Sequence, residues 1–359
     1  MKILLVVPSL RKTGLTEVVK SLVESIDREQ VDFTLVALTK SNDTLNESIF
    51  KKLCDVEIIN YQYLGIPSII KFLKIVNYTK PAIIHFHGFK ADLYSIFINK
   101  NKIKLMSTSH NIGNEDFIYN YGHFCGYLMN KVQIFIFKRM NEVCGVSQYV
   151  TNNLINQGVV KARKVLNGVK MNKLNNNFVI NQPIVRPVGI YVGNIDNRKN
   201  VLNVLDGFSK QNEKKQGTLL ILGDGPEYRD LKRKFESERI FFLGRVNNVD
   251  DFLNISNYFI SASKSEGLPM ASIEAMGNGL DLILSDIQQH KELRISNSQK
   301  IYFFANSVKN DIQITLANYL SEFQAKSVKE NENSKIFSEY FTSTVMASKY
   351  TEVYNNLKN

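Results

Sequence analysis

Short apolar runs of four to six residues, rich in Ile, Val and Leu, recur along this chain, and the segments between them carry helical periodicity. In the first half the runs are 3–7, 33–38, 56–59, 83–86 and 105–107, with helical segments at about 16–26 and 67–78. A strand that reads as an unbroken apolar run must be covered on both faces, which is the condition of a parallel sheet. Parallel neighbours need long crossovers, and the helical segments supply them. Past 165–169 the pattern breaks in an Asn-rich stretch, 172–182, followed closely by Pro183 and Pro187. It restarts with runs at 188–192, 219–222, 240–243 and 258–261 and helical segments at about 201–210 and 227–235. The stretch near 170–185 therefore reads as a linker between two doubly wound α/β domains. At 359 residues the chain is long enough for both to bury a core.

Several classes of function fall away on composition. With 44% hydrophobic and 22% charged residues the chain is globular, not disordered. No apolar run approaches the ~18–20 residues of a membrane-spanning helix. Residues 3–7 run into Pro8-Ser9-Leu10-Arg11-Lys12 without a small-residue cleavage site, so they read as a buried strand and not as a leader. Cys54, Cys125 and Cys144 are odd in number and have neither CxxC nor metal-ligand spacing, so a reducing cytoplasm is expected. The absence of Gly-x-Gly-x-x-Gly after the first strand argues against a nicotinamide enzyme.

Charge is unevenly shared. Residues 1–170 carry 22 Lys and Arg against 13 Asp and Glu, whereas residues 171–359 carry 23 against 21. Such an excess points to a polyanionic partner, either nucleic acid or an anionic membrane. A basic nucleic-acid-binding protein would need aromatics interleaved with cations on a strand face, or a recognition helix, and neither stands out. The segment 121–140 instead sets Tyr121, Phe124, Tyr127, Leu128, Met129, Ile134, Phe135, Ile136 and Phe137 among Lys131, Lys138 and Arg139, a mixture suited to a lipid interface. A domain helix packing its aromatics inward accounts for Phe135 and Phe137 equally well.

Open α/β sheets bind ligands beyond the carboxyl ends of their strands, where loops meet helix N-termini. The most informative such loop is Ser265-Glu266-Gly267-Leu268-Pro269-Met270-Ala271-Ser272-Ile273-Glu274. It follows the strand ending near Ser261 and opens a helix with Pro at or near its first position, where a missing N–H is harmless. Backbone N–H groups around Leu268 to Ala271 and the positive helix end make a site for an anion or polar ligand. Glu266 and Glu274 converge there, and ionised carboxylates are acceptors suited to hydroxyl-rich ligands. A second loop, Tyr191-Val192-Gly193-Asn194-Ile195-Asp196-Asn197-Arg198-Lys199, brings cations to the end of the first strand of the second domain. In the first domain Gly14 follows the first strand, His87-Gly88 end the fourth apolar run, and His110 follows the fifth. His123 and His290 carry no signal. No DxD metal motif stands in a strand-end loop; Asp250-Asp251 reads as a helix start.

The decapeptide resembles the E-x7-E motif of retaining glycosyltransferase family 4, whose members have the GT-B fold. Leu222-Gly223-Asp224-Gly225-Pro226-Glu227 resembles that family's G-x-G-P turn, Phe242-Leu243-Gly244 its next strand and Ile273-Glu274-Ala275-Met276 its donor-site helix. The resemblance implies two Rossmann-like domains facing each other across a cleft: an acceptor-binding domain, 1–170, and a donor-binding domain, 171–359. The last helix, about 338–359, is expected to pack back on the first domain. By the same resemblance Glu266 holds the sugar hydroxyls, the backbone of Gly267, Leu268, Pro269 and Met270 the sugar and phosphate oxygens, and Glu274 the ribose, with Val246 near the base. Gly193, Lys199 and Arg198 are expected at the diphosphate, where Asn194 stands in place of a family Arg, and Gly14 is expected to approach the same phosphates. His110 matches the His beside the reacting sugar, so His110, Glu266 and Lys199 are the expected catalytic residues, with His87 and Gly88 on the acceptor side.

The implied activity is retaining, metal-independent transfer of a hexose or N-acetylhexosamine, expected from a UDP-sugar, with no cofactor. The implied acceptor is a lipid-linked glycan at the inner face of a bacterial plasma membrane, in capsule, lipopolysaccharide or exopolysaccharide synthesis. A nucleotide-sugar epimerase on the same scaffold is the nearest alternative, disfavoured by the Glu266 and Glu274 pattern.

Overall fold

The computed structural model describes residues 1–61, 64–175, 177–211, 217–323 and 331–358. Residue 176 of the linker stretch and residue 359 of the last helix lie outside the described residues. By internal contacts the chain forms two units, Met1–Lys170 with Phe341–Asn359, and Met171–Tyr340.

The first unit is built on seven parallel strands, β1 (Lys2–Ser9), β2 (Asp32–Thr39), β3 (Asp55–Ile58), β4 (Ile83–His87), β5 (Lys104–Ser109), β6 (Glu142–Gly145) and β7 (Ala162–Lys164), in the order β3-β2-β1-β4-β5-β6-β7. Ile3 to Val7 of the central strand are each at most 1% exposed, and this stretch is unbroken in apolar residues because helices cover both faces. The helix Gly14–Ser25 follows β1, and its start is fixed by a reciprocal cap. Thr16 N donates to Thr13 Oγ1 and Thr13 N to Thr16 Oγ1. Within this unit the last helix, Ser343–Lys358, lies against Gly14–Ser25 and buries Tyr350 and Tyr354 completely.

The second unit has six parallel strands, β8 (Val188–Val192), β9 (Thr218–Leu222), β10 (Ile240–Gly244), β11 (Tyr258–Ser261), β12 (Asp281–Ser285) and β13 (Ile301–Phe304), in the order β10-β9-β8-β11-β12-β13. One face packs on the helices Val201–Gln211 and Asp311–Glu322 through Val204, Leu205, Phe208, Leu316 and Tyr319. Beyond β9, Gly223 takes φ +136°, and a Cβ there would lie 1.8 Å from the Gly193 carbonyl oxygen. The loops after β8 and β9 can touch only because this residue is glycine. The Asn-rich stretch is tied down within its own unit: Asn172 donates twice to Asp250 and the Asn175 backbone N–H to Asp251, both carboxylates lying in the first turn of the helix Val249–Ile255.

In each sheet the chain starts at a central strand, builds outward to one side, and then crosses to the other. The switch points fall between β1 and β4 and between β8 and β11, and ligand-binding crevices form at the carboxyl ends of such strands.

Candidate active site

At the switch point of the second unit, the loops after β8 and β11 bring opposite charges together. Tyr191 OH donates to the Asn194 carbonyl at 2.7 Å, and Asp196 accepts from the Lys199 N–H at 2.9 Å, so the turn is closed and the side chains of Arg198 and Lys199 leave it in the same region. Lys199 Nζ lies 2.5 Å from Glu266 Oε1, and Arg198 Nη1 lies 3.6 Å from Glu266 Oε2 and 2.8 Å from the Ser265 carbonyl. Glu266 is 8% exposed. Burial pushes its carboxyl up, but Lys199 and Arg198 outweigh burial and hold it below the usual carboxylate range. The carboxylate is thus ionised, and two cations share it.

Gly267, Leu268 and Pro269 are buried, and Pro269 caps the helix Met270–Gly277. The N–H groups of Met270, Ala271 and Ser272 have no acceptor within the helix, so its positive end faces the loop that carries Glu266. Glu274 sits in the second turn of this helix, half-buried. Val246, just past β10, is half-buried as well. Asn194 is exposed, and its amide donates to Asp196 Oδ2 at 2.6 Å, so the position that resembles a family Arg carries a turn-forming residue and no cation.

At the other switch point, β4 ends in His87 and the loop after β5 holds His110. His87 Nδ1 lies 3.0 Å from His110 Nε2. His85 stacks on His87 with ring centroids 4.1 Å apart. His85 is held by Tyr354 OH and Thr108 Oγ1, each at 2.8 Å, and Thr108 by Tyr350 OH at 2.8 Å. Burial pushes His85 down to about 3 and His110 down to about 4, and burial with the two neighbouring imidazoles holds His87 well below its ordinary value. The pair is therefore neutral at physiological pH, able to accept or donate a hydrogen bond to a hydroxyl. Gly88 takes φ +90° against Pro8 and Leu15, and Gly14 begins the helix Gly14–Ser25 with open space where a Cβ would stand.

Some of these partners give no signal in the sequence. Gln289 Nε2 donates to the Glu266 carbonyl at 2.7 Å, His290 lies buried within electrostatic reach of Glu266 and Lys199, and Asn306 Nδ2 donates to the carbonyls of Ala262 and Ser263. Gln289 and His290 come from the short helix Gln288–Lys291 after β12 and Asn306 from the loop after β13, away in sequence from the loops they support. Tyr350 and Tyr354 are similarly 240 or more residues from the groups they hold. Among the described residues no cluster of three His, Cys, Asp or Glu is placed to hold a metal ion.

Two doubly wound parallel sheets, with loops from both switch points carrying polar and charged groups, are the architecture of GT-B glycosyltransferases. Anabaena HepE in complex with UDP-glucose superimposes with a TM-score of 0.81 over 99% of this chain and 100% of that one, at 16% identity. Residues 12–173 match the family model for glycosyltransferase family 4, and residues 173–333 match the model for glycosyl transferases group 1. The chain belongs to glycosyltransferase family 4. It is 25% identical to the O-antigen biosynthesis glycosyltransferase WclY of Escherichia coli, over 99% of both chains. It is 23% identical to the capsular polysaccharide biosynthesis glycosyltransferase CapH of Staphylococcus aureus, over 74% of this chain and 76% of that one.

Proposed function

We propose that the protein transfers a hexose or N-acetylhexosamine from a UDP-sugar to a glycan acceptor, with retention of configuration, in the synthesis of a bacterial surface polysaccharide such as O-antigen or capsule. The carrying observation is the pairing of Glu266 with Lys199 and Arg198 at a switch point, beside the start of the helix Met270–Gly277. A diphosphate draws the two cations from Glu266 and leaves that carboxylate to accept sugar hydroxyls. Lys199, Arg198 and the helix end then neutralise the charge that develops as the bond between the anomeric carbon and the phosphate oxygen breaks. The acceptor oxygen bonds to the same carbon from the same face, and its proton passes to the departing phosphate oxygen. No protein nucleophile is needed. His110, neutral and half-buried, supplies a hydrogen-bonding group beside the reacting sugar, with His87 and Gly88 on the acceptor side, while Glu274 holds the ribose and Val246 flanks the base.

These groups supply the positive charge that a divalent cation supplies elsewhere, so transfer is expected to proceed in EDTA. The test is a panel of UDP-sugars incubated with the protein, with and without EDTA, followed by donor hydrolysis and ligand-induced thermal stabilisation. Stabilisation by none of them would remove the donor assignment, and loss of turnover in EDTA with recovery on Mn²⁺ would remove the metal-free one.

The lipid-linked acceptor and attachment to the inner membrane surface rest on a different feature. On the helices Gly113–Tyr121 and His123–Arg139, Ile134, Ile136 and Phe137 face inward, but Tyr121, Phe124, Tyr127, Leu128 and Phe135 are exposed, Phe124 by 83%. Phe137 thus packs in the core and Phe135 does not. Lys131, Lys138 and Arg139 are exposed among them. No helix among the described residues is long and apolar enough to cross a membrane. Insertion of the aromatics to headgroup depth, aided by ~1 kcal/mol for each cation near an anionic leaflet, gives reversible attachment. Co-sedimentation with anionic vesicles is expected at low salt, weakened by high salt and by Lys131→Glu, Lys138→Glu and Arg139→Glu together. Equal binding to neutral and anionic vesicles, or none to either, would make the acceptor a soluble glycan.

A further inference from the structure

His290 lies on the short helix Gln288–Lys291 after β12 and is fully buried. Its Nδ1 is 2.9 Å from the Ser285 carbonyl oxygen and 3.0 Å from Ser285 Oγ. Ser285 Oγ donates to the Ser263 carbonyl at 2.6 Å, so its hydrogen is committed and it offers Nδ1 only lone pairs. Both neighbours of Nδ1 are acceptors, so Nδ1 carries the proton. In the neutral ring that leaves Nε2 as a bare acceptor, and Nε2 is buried without a hydrogen-bond partner. A buried acceptor left unpaired is costly in a folded chain, and such groups tend to sit where a ligand supplies the donor.

The surroundings say which ligand. The adjacent Gln289 holds the backbone of Glu266, and the charges His290 senses are Glu266 and Lys199. Neither hydrogen-bonds to Nε2 while they pair with each other. We infer that His290 is a sugar-recognising residue of this site: once a diphosphate draws Lys199 away from Glu266, Nε2 accepts a hydroxyl of the transferred sugar next to the carboxylate. The inference rests on the reading of Glu266 as the sugar-binding carboxylate and adds a second acceptor that senses which hydroxyls the donor carries.

Two substitutions separate the two nitrogens. His290→Asn keeps an N–H near Nδ1, and so the tie to Ser285, but has nothing at Nε2. His290→Gln reaches the Nε2 position with an amide oxygen and loses the tie. Calorimetric titration of full-length wild type, both variants and Glu266→Gln with UDP, UDP-glucose, UDP-galactose and UDP-N-acetylglucosamine gives the ratio of UDP-sugar to UDP affinity for each. In His290→Asn this ratio is expected to fall about tenfold for the preferred sugar, the worth of one hydrogen bond in a closed site, with UDP affinity and Tm near wild type. His290→Gln is expected to retain most of the ratio at a lower Tm. The reverse order, or a wild-type ratio in His290→Asn while Glu266→Gln loses it, overturns the role of His290 alone. A wild-type ratio in Glu266→Gln, or no binding of any UDP-sugar by wild type, overturns the donor-site reading beneath it.

Discussion

Lys199→Ala is expected to cut sugar transfer at least ~100-fold, the effect of losing one charged contact to a developing oxyanion, about 2.7 kcal/mol, and Glu266→Gln is expected to cut it as far by weakening the charged acceptor that positions the sugar hydroxyls. The two should lose it in different ways. Lys199→Ala removes a cation from the diphosphate, so the affinity for UDP itself should fall. It also leaves a carboxylate that is 8% exposed with Arg198 at 3.6 Å as its remaining cation, so Glu266 should titrate at higher pH. Glu266→Gln removes the negative charge and one of the two acceptor oxygens offered to the sugar hydroxyls, puts an NH2 donor in their place and frees both cations, so UDP should bind as well as before or better while transfer collapses. Measured transfer rates and UDP affinities for both variants decide the matter. Wild-type transfer in either, with an unchanged thermal midpoint, would place the donor elsewhere.

Much of this architecture is legible in the chain because its signals are local. The run at 188–192 is β8 to the residue, and that at 258–261 is β11, since a strand buried on both faces leaves no polar position to blur its ends. Ser265 to Glu274 shows its chemistry because the Gly-Leu-Pro turn, the carboxylate and the helix start are consecutive. The cations of the site are legible as residues, but their target is not. Nothing in Arg198-Lys199 says that both lie on a carboxylate 68 and 67 positions away, because that pairing depends on the β8 and β11 neighbour relation. Asp250-Asp251 can be read as a helix start, whereas their capture of Asn172 and Asn175 depends on where the linker runs. The same holds for His290, whose ordinary sequence surroundings hide a buried ring with one bare nitrogen.

Asp92 is the clearest residue whose environment is invisible in sequence, and it carries the second large expected effect. It ends the short helix Phe89–Asp92 that follows His87 and Gly88, and it is fully buried. Ser107 Oγ donates to it at 2.6 Å and Gln133 Nε2 at 3.1 Å, and no Lys or Arg among the described residues forms an ion pair with it. Burial pushes its carboxyl up to about 7, more than the two hydrogen bonds pull it down. An unfolded Asp releases its proton near pH 4, so between about pH 4 and 7 the unfolded chain ionises while the native one holds its proton. Asp92's contribution to native stability therefore falls as pH rises through that window and levels off above it, against the opposite trend of the buried His85, His87 and His110, so it is read from the difference between wild type and a variant. Asp92→Asn removes the proton exchange but keeps an acceptor for Ser107 and, with the Gln133 amide turned over, a partner for it too. Relative to wild type, the variant should gain on the order of 1–4 kcal/mol between about pH 4 and pH 8, the upper bound being about 1.36 kcal/mol for each pH unit that separates the native from the unfolded titration. At roughly 2–4 °C of Tm per kcal/mol the gain is readily measured by thermal unfolding across that range. Parallel pH profiles for the two proteins would mean that Asp92 is ionised in the native chain, and that a cation or water relieves its burial.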